Sequence, residues 1–173
     1  MIITVIIDTS GSMSVMGKPY IVSALIKYCA GISEIDKEKY ANLNFRFITM
    51  AGEEIRDTGN AASSFKNAEN AGLASLDKIF KTANPNGMNF ILLSDGLFPP
   101  GEVDNYQQIT ENYPGLRFIA AAVGADADEY TLKKISYGGK IFHPEDIPSA
   151  VDFFLSGQGE CPVSIAFAGG GHG

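Results

Sequence analysis

Short apolar runs alternate along this chain with segments whose apolar residues recur at helical spacing. Ile2-Ile3-Thr4-Val5-Ile6-Ile7 is continuous and β-branched, which suits a strand buried on both faces. A Gly/Ser turn over 9–17 follows, and Pro19 sits near a helix start, where its missing N–H costs little. Ile21, Leu25, Ile26 and Cys29 keep helical spacing, and Gly31 is expected to end that helix. Leu43 to Ile48 alternates as a second strand, and residues 53–57 read as a short third strand at an edge. Residues 58–64 are loop-like. A helix is expected over 66–82, with Leu73, Leu76, Ile79 and Phe80 on one face, stopped by Asn84-Pro85-Asn86-Gly87.

Met88 to Leu93 is another apolar strand, ending in Ser94-Asp95-Gly96. A helix over 102–112, a buried strand over 116–123, a helix near 127–136 and a short strand at 139–142 follow. Pro144 opens a last helix reaching Leu155. Strands alternating with amphipathic helices imply an α/β sandwich around a mostly parallel sheet. The domain is expected to span 1–156, with a Gly-rich tail over 157–173; the apolar stretch 162–168 is a candidate for one more strand or a partner contact.

Composition narrows the functions open to such a fold. In 173 residues there are 13 basic and 20 acidic side chains, a net charge of −7. That balance argues against nucleic acid, whose phosphates demand Lys and Arg, and favours cations. The two cysteines, Cys29 and Cys161, lie far apart without zinc-ligand spacing and read as free thiols. The first apolar run lacks a basic leader and is too short to span a bilayer, so a cytoplasmic protein without membrane contact is expected.

The chemistry concentrates where two strands end. In an open α/β sheet, ligands bind beyond the C-terminal strand ends, where strand order reverses. The first strand ends Asp8-Thr9-Ser10-Gly11-Ser12-Met13 and the Met88–Leu93 strand ends Ser94-Asp95-Gly96. If both are central and parallel, Asp8 and Asp95 emerge side by side. Two carboxylates and the hydroxyls of Ser10 and Ser12 make a hard-oxygen set suited to Mg²⁺ or Mn²⁺. Gly11 is expected to let the loop turn so that both serines aim inward. The same residues also suit a plain turn or helix cap, and Ser94 reads as a local turn former. Asp126 and Asp128 read as caps of the helix after them. Phe98, Pro99 and Pro100 form a candidate apolar rim beside the site.

At these residues the sequence resembles the von Willebrand factor A (vWA) family, whose metal-ion-dependent adhesion site has the pattern Asp-x-Ser-x-Ser, a distal Thr and a distal Asp. Asp8-Thr9-Ser10-Gly11-Ser12 matches the first element and Leu92-Leu93-Ser94-Asp95-Gly96 the last, and the likeness covers residues 2–155. It implies a Rossmann-like three-layer sandwich of about six strands, one of them an antiparallel edge, with helices on both faces. It also implies that Asp8, Ser10, Ser12 and Asp95 hold Mg²⁺ or Mn²⁺ directly or through water, for a partner protein that supplies a carboxylate. The family Thr is missing. Asn70 aligns with it, a one-residue slip places Ala71 there, and Thr58, Ser63 or Ser64 are nearby substitutes. Size and the early first strand further resemble the small bacterial, intracellular, tellurium-resistance-associated TerY-like members.

No general base, nucleophile pair or dinucleotide fingerprint is visible, so the protein is not expected to be an enzyme. Two alternatives stand beside the metal-dependent module: a metal-free scaffold with a degenerate site, and a Mg²⁺-dependent phosphoryl-transfer enzyme with Asp8 as nucleophile. The latter chemistry calls for a second carboxylate where Ser10 stands and for a Lys to balance charge.

Overall fold

The computed structural model describes residues 1–58, 69–83 and 89–157. Its strands are β1 (Ile2–Ile7), β2 (Asn44–Thr49), β3 (Asn89–Ser94), β4 (Arg117–Ala122) and β5 (Ile141–Phe142). They form one sheet in the order β2-β1-β3-β4-β5, with every neighbouring pair parallel. The helices are α1 (Lys18–Ile35), α2 (Lys37–Tyr40), α3 (Leu76–Thr82), α4 (Pro100–Thr110), α5 (Glu129–Ile135) and α6 (Ile147–Leu155). Each parallel pair needs a crossover, and the helices that supply it cover both faces of the sheet.

The alternation of side chains along each strand builds two apolar layers. Ile3, Val5, Ile7, Ile91, Leu93, Ile119 and Ala121 pack against α1 and α6. Ile6, Phe90, Leu92, Phe118 and Ala120 pack against α3, α4 and α5. Phe80 anchors the second layer, with its ring edge-on to Phe90 at 5.2 Å and to Phe118 at 5.9 Å between centroids. Such pairs add about 0.5–1.5 kcal/mol each to area burial.

Three expectations differ from the structure. Gly31 does not end α1, which continues to Ile35. Ile32 is buried in the first layer, and its packing outweighs the cost of a mid-helix glycine, about 1 kcal/mol. The edge strand expected at 53–57 is a single antiparallel bridge, Ile48 to Glu54, beyond five parallel strands. The helix expected over 66–82 opens as a 3₁₀ turn at Leu73–Ser75, because the Leu73 amide is claimed by the Glu102 carboxylate at 2.8 Å. Residues 66–68 and 84–88, Ser63, Ser64, Cys161 and the 162–168 stretch lie outside the described residues, as does the tail from 158. Among the described residues, no helix is long and apolar enough to cross a membrane.

From β1 the chain moves outward to β2, then crosses back to β3 and continues the other way to β5. The reversal lies between β1 and β3, and it opens a crevice at their C-terminal ends.

Candidate metal centre

The register of β1 and β3 decides which side chains meet. Ile7 pairs with Leu93, and the Asp8 amide donates to the Leu93 carbonyl at 3.0 Å, so Asp8 lies beside Ser94. The Ser94 hydroxyl donates to Asp8 Oδ2 at 2.6 Å and accepts from the Gly96 amide at 2.9 Å. It is thus both the turn former expected and a direct partner of Asp8. The Ser10 amide donates to Asp8 Oδ1 at 2.8 Å, the local bond by which Asp shapes a turn. The Ser10 and Ser12 hydroxyl oxygens lie 3.1 Å apart, and fully buried Met13 pins the 3₁₀ turn Gly11–Ser14 beneath them. Gly11 is not the residue that allows the bend. It is exposed with open space around it, and the left-handed conformations fall at Met16 (φ 56°) and Gly17 (φ 77°).

Asp8 is fully buried. Burial pushes its carboxyl above the usual carboxylate range; the bonds from Ser94 and Ser10 pull the other way, and nearby Asp95 adds to the rise. Among the described residues no basic side chain forms an ion pair with it.

Asp95 has a different set of partners. It continues the alternation of Ile91 and Leu93, toward the layer that α1 covers. Its Oδ2 accepts from Lys18 Nζ at 2.7 Å and its Oδ1 from the Leu97 amide at 3.2 Å. Lys18 is completely buried, and its ammonium also donates to Asp126 Oδ2 at 2.8 Å. Burial pushes the ammonium's pKa down, but the hydrogen bonds to Asp126 and Asp95 outweigh it and leave it raised. The same bond holds the Asp126 carboxyl below its ordinary value. Asp126 therefore does not cap α5. Asp128 does, accepting from the Thr131 amide at 3.1 Å and the Thr131 hydroxyl at 2.7 Å. Gly124 (φ +96°) lets the backbone pass against this ion pair: a Cβ there would stand 2.6 Å from Lys18 Cε.

Sequence reasoning missed Lys18. A signal existed: Lys18 shares the buried stripe of Val22, Leu25, Ile26 and Cys29 along α1. A lysine on an apolar stripe needs a buried counter-charge.

The segment in place of the family Thr is stitched to the same edge. The Thr9 hydroxyl donates to the Glu69 carbonyl at 2.8 Å, and the Ser75 hydroxyl reaches the Met50 carbonyl at 2.8 Å. Asn70 is exposed, Ala71 is half-buried against the second layer, and Thr58 is half-buried. Of the expected rim, Pro99 and Pro100 are exposed but Phe98 packs against the second layer, and Leu97 is exposed beside them. Val15, Met16 (80% exposed), Tyr20 (77%) and Tyr130 are further exposed apolar groups on loops and helix starts at this edge. Among the described residues, no three His, Cys, Asp or Glu side chains converge as a metal cluster. Of the residues expected to hold a metal, Asp8, Ser10 and Ser12 lie together on one loop, Asp95 is engaged by Lys18, and Asn70 is exposed.

No protein-family model matches the chain, and the curated proteins contain no match. Among solved structures, the manganese-loaded TRAP protein of Plasmodium vivax is similar, with a TM-score of 0.55 and 13% identity over 90% of this chain and 73% of that one. The fold is von Willebrand factor A-like. Two crystal structures of proximal thread matrix protein 1 from the mussel byssus match at TM-scores of 0.47 and 0.49, with 12% and 13% identity. They cover 89% and 90% of this chain, which spans 46% and 44% of theirs. In this vWA-like chain the Asp-x-Ser-x-Ser residues lie at the sheet's switch point, with the Lys18 ion pairs next to them.

Proposed function

We propose that this vWA-like domain is a non-enzymatic protein-interaction module that holds Mg²⁺ or Mn²⁺ on Asp8, Ser10 and Ser12 and offers the ion to a carboxylate of a partner protein. Asp8 carries the reading. It is fully buried and, among the described residues, held by neutral donors alone, an arrangement that is costly for a carboxylate unless a cation joins it. The Ser10 and Ser12 hydroxyl oxygens, 3.1 Å apart on the same loop, would add hard ligands for a small divalent ion. Charge balance agrees: the carboxylates of Asp8, Asp95 and Asp126, the Lys18 ammonium and one divalent ion sum to zero. The manganese-loaded structural neighbour supports the choice of ion. Bound there, the ion supplies an electrophilic point for an incoming acidic side chain, and the exposed apolar groups around it supply contact area.

Titration with Mn²⁺, read by the paramagnetic resonance signal of the free ion, tests this. Wild type is expected to take up one ion and Asp8→Asn none. Asn keeps hydrogen-bonding capacity toward Ser10 and Ser94, so that variant stays folded. No uptake by wild type at millimolar Mn²⁺ refutes the reading and leaves the metal-free scaffold, which the exposure of Asn70 favours. Lys18 is engaged by Asp95 and Asp126, and no carboxylate stands at position 10, so phosphoryl transfer through Asp8 lacks two of its parts. Incubation with p-nitrophenyl phosphate and Mg²⁺ is expected to give no turnover that Asp8→Asn abolishes.

A further inference from the structure

The edge of the sheet holds two buried carboxylates with opposite fates. Among the described residues Asp8 meets neutral donors alone, whereas Asp95 meets an ammonium at 2.7 Å inside a fully buried pair. We propose that Lys18 withholds Asp95 from the metal, so that among the described residues Asp8 is the one carboxylate that the ion contacts. The proposal extends the metal reading above by saying which side chain limits affinity at that site.

Strand alternation directs Asp8 and Ser94 to the layer of Ile6 and Leu92, and Asp95 to the layer covered by α1. Lys18 is the first residue of α1, and its buried stem is flanked by Gly124. A Cβ at Gly124 would also stand 2.8 Å from Asp126 Oδ1, so there is little free space for the stem to swing into. The ammonium bridges two acids from two loops, Asp95 after β3 and Asp126 after β4. To ligate a metal through its Lys18-bonded oxygen, fully buried Asp95 must give up a charge-assisted bond to an equally buried ammonium. A divalent ion so close to an ammonium also meets like-charge repulsion that is poorly screened at a buried site. Lys18 thus acts as a positioning and affinity-setting residue: it fixes the two loops without the ion and leaves the ion a ligand set of one negative charge. An ion so held keeps more net positive charge for a partner's carboxylate.

The test compares Mn²⁺ affinity in wild type, Lys18→Met and Asp95→Asn, by free-ion paramagnetic resonance and by Mn²⁺-dependent thermal shift. Lys18→Met frees Asp95, so it is expected to bind Mn²⁺ at least about tenfold tighter than wild type and to gain more in melting temperature. Asp95→Asn keeps Lys18 paired with Asp126 and is expected to bind within about threefold of wild type. Equal or weaker binding by folded Lys18→Met overturns the proposal, as does a loss of tenfold or more in folded Asp95→Asn. If Lys18→Met is unfolded without metal, refolding by Mn²⁺, read by circular dichroism, supports the proposal, and failure to refold at any Mn²⁺ concentration overturns it. Uptake by Lys18→Met but not by wild type refutes the metal reading for the native chain and supports the role of Lys18. Uptake by neither overturns both.

Discussion

Lys18→Met in EDTA measures what the buried ion pair contributes to the fold. Methionine keeps most of the stem's volume in the layer of Val22 and Ile26, so the perturbation is chiefly the loss of one charge. Among the described residues, fully buried Asp95 is then left with the Leu97 amide, at 3.2 Å, as its donor. Asp126 suffers less, because its side chain is 40% exposed and water can replace the lost bond. Removing one partner of a buried pair typically costs about 3–5 kcal/mol. For a domain of this length each kcal/mol lowers the melting temperature by about 2–4 °C, so a fall of roughly 6–20 °C is expected. Asp95→Asn removes the stranded charge, so Lys18→Met/Asp95→Asn is expected to recover about half the loss or more. Urea titration at constant m, followed by far-ultraviolet circular dichroism, supplies the free energies. A Lys18→Met cost below about 1 kcal/mol refutes the reasoning. So does a double variant less stable than Lys18→Met alone.

Gly124→Ala sets a methyl 2.6 Å from Lys18 Cε at a φ of +96°, and is expected to cost about 1–3 kcal/mol by urea titration. Phe80→Ala empties the centre of four ring contacts and is expected to cost about 3–5 kcal/mol in the same assay, with cooperative unfolding retained. The Asp8 carboxyl is raised in the fold, so without metal the wild type is expected to lose stability relative to Asp8→Asn as pH rises from the usual carboxylate range toward neutrality. Melts of both proteins in EDTA at pH 4 to 7 check the sign; a constant difference contradicts it. Burial pushes the Cys29 thiol up to about 12, so in a Cys161→Ser background Ellman's reagent is expected to react at pH 8 only once denaturant is added.

The sheet was legible because its central strands are unbroken apolar runs and its helices keep an apolar stripe, patterns set by burial on two faces. The Asp8 loop was legible because its turn is local: Ser10 bonds to the residue two positions before it. What escaped is what depends on distant contacts. The role of Lys18 follows from partners 77 and 108 residues away, which no spacing reveals. Asp126 and Asp128 look alike in sequence, and only the position of α1 separates the acid that pairs with lysine from the one that caps a helix. Loops lack a period, so the exposed rim includes Leu97 beside Pro99 and Pro100, while Phe98 packs inward. Gly31 misled because helix signals near a glycine give way to the packing of the next buried residue, Ile32.

The ammonium at the start of α1 leaves the ribosome long before either acid that neutralises it. Until β3 has been made and docked beside β1, this lysine must stay hydrated, and α1 cannot seat its first turn. Closure of the polar end of the domain is therefore a late event in biosynthesis, and a nascent chain stopping short of Asp95 lacks the acid that lets the first turn of α1 settle.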